Sequence, residues 1–260
     1  MPGKDGNQEY VLTTIAGKDR NYSYNYDTET YSSLWVAYPL YSATMGGTRI
    51  ESWAPDPNVL LSDQINIWDS SYGVNVGSTS NQGYDSSKNI YSRGHQIADA
   101  DRRGNSEMQA QTYYPTNMTP QIQNGFNGGI WMHLESAVRD QASATDTLYV
   151  VTGPTYQKVG VSESVTWILP RNETTKRCPV PNYYWKVLLK VKRGADNNIL
   201  DASTIGFWFE HKTYSDSYIN YTKSVDQIEQ WTGFDFFVNL PDSIEAVAEM
   251  NSSWSTFSNF

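Results

Sequence analysis

Ser92-Arg93-Gly94-His95-Gln96-Ile97, Thr116-Asn117-Met118-Thr119-Pro120-Gln121 and Asn127-Gly128-Gly129-Ile130-Trp131-Met132-His133-Leu134-Glu135 follow one another within residues 91–139. The first block reads as a strand and a turn. Asn117-Met118-Thr119, with Tyr113-Tyr114 before it, reads as a second short strand stopped by Pro120, because proline donates nothing to a ladder. From Trp131 to Gln141, Ile130, Leu134, Ala137 and Val138 recur at helical spacing and predict a helix with one apolar face. The same stretch carries two of the three histidines, several amides and arginines at both ends. These groups can hold a cation, take a proton and grip an anion.

The flanking chain is strand-rich. Leu34–Tyr41 has the β-branched and aromatic content of a strand, with Pro39 marking an edge or the strand's end. Tyr22 to Tyr31 alternates aromatic and polar residues and reads as an edge strand. Short strands are expected at Tyr10-Val11-Leu12 and at Thr48-Arg49-Ile50. Further strands are expected at Thr147–Thr152, ended by Gly153-Pro154, at Tyr183–Val191 and at Ile205–Phe209. Ser224–Gly233 predicts a helix, with Ser224 and Gln227 as a capping box and Gly233 as the stop. Pro241–Met250 predicts a last helix. The expected fold class is α+β: a mainly antiparallel twisted sheet with packed helices. There is no internal repeat and no Pro-rich linker. Residues 1–21 are therefore read as a flexible N-terminal tail, residues 22–260 as a single domain, and the Ser/Asn/Gly-rich run 70–89 as a surface loop within it.

At 260 residues the chain can bury a full core. Its 38 % hydrophobic and 18 % charged content argues against general disorder. No apolar run approaches the roughly 20 residues that span a bilayer, so no membrane partner is expected. A net charge of −9 argues against a protein that coats nucleic acid, yet leaves room for a local basic cleft that grips a few phosphates. The 9 Trp and 19 Tyr are read first as core and sheet-face residues, and second as a stacking platform. Cys178 is the only cysteine; it forms no intramolecular disulfide and has no evident base beside it. Met1-Pro2-Gly3-Lys4-Asp5-Gly6 lacks the apolar region of a secretory signal. That polar start reads as one whose leader has been removed, which predicts a secreted or periplasmic protein. The oligomeric state is not legible.

Hydrolysis of a phosphodiester needs a base for water and positive charge for the phosphorane and the leaving oxygen. His95, with an ordinary pKa near ~6.5, accepts a proton at neutral pH. Arg93, two residues earlier on an extended chain, shares its face. Asn127 offers an amide oxygen, a reasonable donor to Mg²⁺, which keeps most of its waters; a turn residue before Gly128-Gly129 is the plainer reading. Glu135 lies eight residues on, about 12 Å along a continuous helix. The glycine pair therefore implies a non-helical entry at 127–129, or else Glu135 acts through water. Arg139 at i+4 from Glu135 is a helix ion pair or a phosphate clamp. Asp99 and Asp101 beside Arg102 and Arg103 read as solvated pairs, His133 as exposed, and His211 as a ligand only if distant groups converge on it.

Arg-Gly-His-Gln, Thr-Asn-Met-Thr-Pro-Gln and Asn-x-x-x-Trp-x-x-x-Glu-x-x-x-Arg, in that order, resemble the non-specific DNA/RNA endonuclease family of the ββα-metal (His-Me finger) type, which includes mitochondrial endonuclease G. Trp35-Val36-Ala37-Tyr38, Val151–Tyr156, Tyr184-Trp185-Lys186-Val187 and Ser224–Glu229 with Thr232-Gly233 extend the resemblance over roughly residues 22–245. It implies a Mg²⁺-dependent endonuclease, with Mn²⁺ or another divalent cation as substitutes, acting on DNA and RNA with little sequence preference and leaving 5′-phosphates. By position, it implies His95 as general base, Asn127 as the one direct protein ligand to the ion, and Glu135 as the acid holding the ion's water. It places Arg93 and Arg139 near the scissile phosphate, Asn117 in support of the base, and Arg49 as a further phosphate contact at a departing spacing. The family usually reads Asp-Arg-Gly-His; here Ser92 takes the first place and brings no charge. A catalytically weakened module that binds nucleic acid or glycan on the same scaffold is the alternative.

Overall fold

Tyr22, Tyr24 and Tyr26 on one strand and Val36, Tyr38 and Leu40 on the next alternate with smaller or polar residues, as a pleated sheet with two unlike faces requires. The computed structural model describes residues 8–13, 20–73, 91–143 and 147–260. In chain order these residues form β1 (Gln8–Thr13), β2 (Arg20–Asp27), β3 (Ser32–Leu40), β4 (Tyr91–His95), α1 (Ser106–Gln111), β5 (Met118–Ile122), α2 (Met132–Ser143) and β6 (Leu148–Thr155). They continue with β7 (Thr166–Ile168), β8 (Cys178–Val180), β9 (Tyr183–Arg193), β10 (Ile199–Glu210), β11 (Thr222–Lys223), α3 (Val225–Thr232), α4 (Asp242–Ala248) and α5 (Trp254–Ser258). The expectations for Ile90, for the 70–89 loop past Gly73, and for residues 1–7 and 14–19 of the tail lie outside the described residues. Within that tail, β1 pairs with β2.

The main sheet has the order β1-β2-β3-β6-β9-β10-β11, and its neighbours run antiparallel. The fold class is α+β, as expected. One face carries Tyr22, Tyr24, Tyr26, Val36, Tyr38, Leu148, Val150, Tyr184, Leu188, Ile205, Phe207 and Phe209, packed on Phe126, Ile130, Trp131, Leu134 and Val138 of α2 and the segment entering it. The opposite face carries Trp35, Val151, Trp185, Val187 and Trp208, packed on Val225 and Ile228 of α3 and on Phe234 and Phe236. The period-2 alternation of β9 thus sends Tyr184, Lys186 and Leu188 toward α2, and Trp185 and Val187 toward α3. Small two-stranded sheets, β4-β5 and β7-β8, complete the architecture.

Several local expectations need correction. Tyr22–Tyr31 is not an edge: β2 lies between β1 and β3. Pro39, read as marking an edge or the strand's end, fits the second: it sits one residue from the end of β3, opposite Tyr149. Thr48-Arg49-Ile50 is irregular, because no strand comes alongside it. Pro120 does not stop β5 but lies within it, opposite Arg93. β5 has a partner on one side only, so a missing N–H is tolerated there. Gly153-Pro154 likewise continues β6 against β9, past the last residue paired with β3. Ser224 caps α3 by accepting from the Gln227 N–H at 3.2 Å, while the Gln227 side chain turns to Gln230. The box is therefore half made. Gly233, at φ 72°, ends the helix as predicted.

Candidate active site

β4 and β5 form a hairpin-like pair in the register Ser92↔Gln121, Gly94↔Thr119 and His95↔Met118. Gly94 is required by packing: a Cβ there would stand 2.4 Å from the Gln121 side chain. The Tyr184 hydroxyl, rising from the main sheet, lies 2.9 Å from both the Thr119 hydroxyl and the Pro120 carbonyl and fixes the pair's height. The chain then enters α2 through Gln123–Trp131, where Asn124, Gly125, Gly128 and Gly129 depart from helical angles and Gly125 takes φ 78°. The non-helical entry read from the glycine pair is therefore present. It turns Asn127 back toward β4 while α2 carries Glu135 and Arg139 onward.

Arg49, Arg93, His95, Asn127, Glu135 and Arg139 all line one cleft of about 580 Å³. Glu51, Trp53, Asp99, Arg103 and Gln123 line it too. The cleft's four arginines against three acids make a locally cationic patch on an acidic protein, as the charge balance allowed. Asn117 is outside it. Fully buried, it accepts from the Ile97 N–H at 3.0 Å and donates to the Ile97 and Thr112 carbonyls at 2.9 and 2.8 Å. It therefore locks the turn just after His95 and touches nothing in the cleft.

The Nε2 of His95 is buried and has no hydrogen-bond partner. The ring is engaged on its other side by the Arg93 backbone and packs against the touching pair Trp53 and Tyr113, with centroids at 5.9 and 5.3 Å. Burial pushes its pKa down to about 4, against the pull of Asp99, and Arg49 and Arg93 push the same way. The imidazole is thus neutral at pH 7, with one lone pair open. Arg93 lies flat on Trp53, its guanidinium carbon 3.4 Å from the ring centroid, and donates to the Ile67 carbonyl at 3.0 Å. Arg49 sits at the rim, paired with exposed Glu51 at 3.0 Å.

The orientation of Asn127 follows from proton counting. Ser92 donates its one hydroxyl proton to the Gln121 carbonyl at 3.1 Å, so toward Asn127 it must accept. The 2.7 Å contact therefore uses Asn127 Nδ2, which also reaches Gln123 Oε1 at 3.2 Å. Both amide hydrogens are occupied, and Oδ1 is left to bind something else. Ser92 thus aligns the amide without bringing a charge. An amide oxygen with a carboxylate in the same cleft is a hard, oxygen-only donor set, which fits Mg²⁺-class ions.

Some charges were misplaced by sequence reasoning. Asp99 and Asp101 are not solvated but buried. Asp101 accepts from Arg139 Nη1 at 3.0 Å and from the Tyr38 hydroxyl at 2.8 Å. Arg102 is buried on Asn21 and the Pro39 carbonyl, and Asp99 pairs with Arg103 at 2.8 Å. Arg139 is therefore held by a residue 38 positions away, not only by its helix neighbour. His211 is a structural histidine: Nε2 accepts from the Ile122 N–H at 2.8 Å and Nδ1 lies 2.9 Å from the Pro181 carbonyl, so both nitrogens are used. His133 is exposed, as expected. Cys178 is buried, and burial pushes its thiol well up, which removes it as a nucleophile.

Lys186 is the residue that sequence reasoning passed over. Its ammonium is buried, lacks a hydrogen-bond partner and stands 4.9 Å from the centre of the Trp131 ring. Trp131 is one helical turn before Glu135. Lys186 and Glu135 act on each other: burial pushes the lysine down to about 8 and the glutamate up to about 7, and each opposes the other's shift. A lysine at an inward position of a central strand was the available signal.

A β-pair feeding a helix, with an unpartnered imidazole, an oriented amide and four arginines in one cleft, is the arrangement expected of a ββα-metal nuclease. The family model for DNA/RNA non-specific endonucleases matches residues 5–243, and the chain belongs to that family. It is 25 % identical to "Nuclease 1, mitochondrial" of Schizosaccharomyces pombe, over 93 % of this chain and 69 % of that protein. It is 28 % identical to "Nuclease" of Serratia marcescens, over 86 % of this chain and 76 % of that one. A crystal structure of an EndoG/EndoGI complex shares the fold with a TM-score of 0.65 at 21 % identity, covering 94 % and 90 % of the two chains. The protein is a metal-dependent nuclease, a hydrolase acting on nucleic acids. No helix among the described residues is long and apolar enough to cross a membrane.

Proposed function

We propose that the chain is a Mg²⁺-dependent endonuclease for DNA and RNA in which His95 Nε2 removes the proton from an attacking water. Asn127 Oδ1 holds the ion and Glu135 supports its surroundings. When bound, the ion supplies Lewis-acid charge to the phosphorane and the leaving oxygen. His95 is oriented by the turn that Asn117 locks and by Trp53 and Tyr113, and it is neutral when it takes the proton. Arg93, Arg139 and Arg49 grip non-bridging oxygens of the phosphate, and stacking on Trp53 holds Arg93 in place. Attack at phosphorus opposite the 3′-oxygen breaks that bond and leaves a 5′-phosphate. Grip on phosphates alone carries no sequence information, consistent with little sequence preference.

The observation carrying this reading is the pairing, in one cleft, of an unpartnered imidazole nitrogen with an amide whose nitrogen is already satisfied. The test is digestion of plasmid, linear DNA and RNA with and without Mg²⁺ by the wild type and His95→Ala. The wild type digests all three only with the ion, and the variant none while keeping its circular dichroism. Wild-type nicking by His95→Ala refutes the base assignment. Digestion of no substrate by the wild type favours the binding module.

A single nuclease domain over residues 22–260 is part of the proposal, supported by a core that joins Tyr22 to Phe257; one cooperative melt tests it. A secreted or periplasmic location is also proposed, because an enzyme indifferent to sequence must be kept from its own chromosome. Fractionation of expressing cells decides it.

A further inference from the structure

On the far side of the sheet from the cleft, the side chains of Asp226, Glu229 and Glu249 converge. One carboxylate oxygen from each lies within 4.8 Å of the other two. The chain brings them together in two ways. Asp226 and Glu229 are three residues apart on α3 and so share a face. Glu249 caps the start of that helix: its carbonyl accepts from the Val225 N–H at 3.0 Å.

Like charges gathered on a surface need no ligand, but this cluster is not on the surface alone. Glu249 is only 5 % exposed, and its Oε1 is buried without a hydrogen-bond partner. Glu245 Oε1, one turn earlier on α4, is also buried and unpartnered. Among the described residues no ion pair reaches these acids. Burial, then Glu229, Glu245, Asp226 and Asp235, push the Glu249 carboxyl up to about 9, and no cation opposes the shift. Buried carboxylates of this kind are paired, protonated or bound to a metal.

We propose that Asp226, Glu229 and Glu249 form a second metal site, distinct from the nuclease centre, for a divalent cation of the calcium class. Ca²⁺ takes six to eight oxygens at about 2.3–2.6 Å, so two opposed ligands stand about 4.6–5.2 Å apart. The three oxygens fit within that span. Mg²⁺ demands a tighter octahedron and dehydrates reluctantly, which a three-carboxylate pocket suits poorly. The ion would fasten the segment after α4 to α3. That segment already holds β10, with the Thr204 hydroxyl donating to the Ala248 carbonyl at 2.7 Å and Asn251 donating to the Thr204 carbonyl at 2.8 Å. The site serves stability and not turnover.

Calorimetric titration with CaCl₂ and thermal melts of EDTA-stripped protein test this. The nuclease centre is silenced by Asn127→Ala in every sample that receives calcium, so that its own ion does not contribute. That background binds about one Ca²⁺, and at 100 times Kd melts about 5–10 °C higher. Adding Glu249→Gln or, as a second route if that variant folds poorly, Asp226→Asn abolishes both effects. In the otherwise unaltered chain, Glu249→Gln keeps nicking activity and melts higher than wild type in EDTA, because the cost of protonating or burying a carboxylate is gone. Absence of calcium binding in the Asn127→Ala background, or its survival in both double variants, overturns the proposal. So does an EDTA-stripped protein that melts higher at pH 6 than at pH 8 with no response to calcium, the mark of shared protons. Activity loss in Asn127→Ala bears only on the cleft.

Discussion

Replacing Ser92 by alanine isolates the alignment of Asn127. The variant removes two hydrogen bonds, 2.7 Å from Asn127 Nδ2 and 3.1 Å to the Gln121 carbonyl. Each is worth roughly 1 kcal/mol net, so the melt should fall by a few degrees and no more. The functional loss is separate. Groups that orient a metal's ligand typically affect affinity or activity about 10–100-fold. Asn127 keeps Gln123 Oε1 at 3.2 Å as a second anchor, so its amide is loosened rather than released. The expectation is therefore near the lower end, roughly 10–30-fold in the metal concentration for half-maximal rate. The assay is the initial rate of plasmid nicking against Mg²⁺ concentration. Saturating ion should restore most of the wild-type kcat, because His95 and the arginines are untouched. An unchanged metal dependence in a folded Ser92→Ala protein would refute the reasoning, as would a kcat loss that saturating ion leaves in place.

Acid should destabilise the fold through two histidines. His95 and His211 are both pushed down to about 4 by burial, below an unfolded value near ~6.5. The unfolded chain then binds more protons between those values, so their stabilising effect is complete above pH 6.5 and is lost as pH falls toward 4. Denaturation in urea across that window should show an uptake of about two protons, reduced to about one in His211→Phe; a flat dependence from these groups contradicts it. Asp101→Asn should cost about 2–3 kcal/mol in stability, since the buried Asp101 carboxylate's ion pair with Arg139 is lost, and should weaken substrate binding. A melt equal to wild type sinks that account. Lys186→Met keeps the length and removes a buried ammonium that makes no hydrogen bond, while Glu135, already pushed up to about 7 by burial, can take a proton instead, so the melting temperature should hold. Nicking should still fall about tenfold, since the charge beneath Glu135 supports the cleft; full activity would show that Lys186 is only packing.

Most of the cleft's lining was legible because it is local. His95 follows Arg93 on one short strand, and Gly128-Gly129 visibly forbids a continuous helix between Asn127 and Glu135. Pattern also gave β9, β10, α2 and α3, since a long run of alternating or helically spaced apolar residues has one stable solution. What failed was non-local. Pro120 and Pro154 looked like strand ends, yet each lies where one side of its strand has no partner. Nothing in the chain marks that side. The readings of Asp99, Asp101 and Arg102 as solvated pairs failed for the same reason: adjacent charges invite pairing with neighbours, while burial sent Asp101 to Arg139 and Arg102 to Asn21.

By itself, the order of residues determined which groups are available for chemistry, because proton affinity, oxygen donors and guanidinium charge belong to the side chains. The tertiary structure alone decided their states. The amide of Asn127 keeps its oxygen free because a serine 35 positions earlier and Gln123 accept from its nitrogen. The imidazole of His95 stays neutral at acidic pH values where an exposed histidine is charged, because the fold removes it from water. Lys186 and Glu249 became noticeable only when the packed sheet closed over them, since the cost of an unpaired charge depends on the surrounding dielectric and not on the residue's place in the chain.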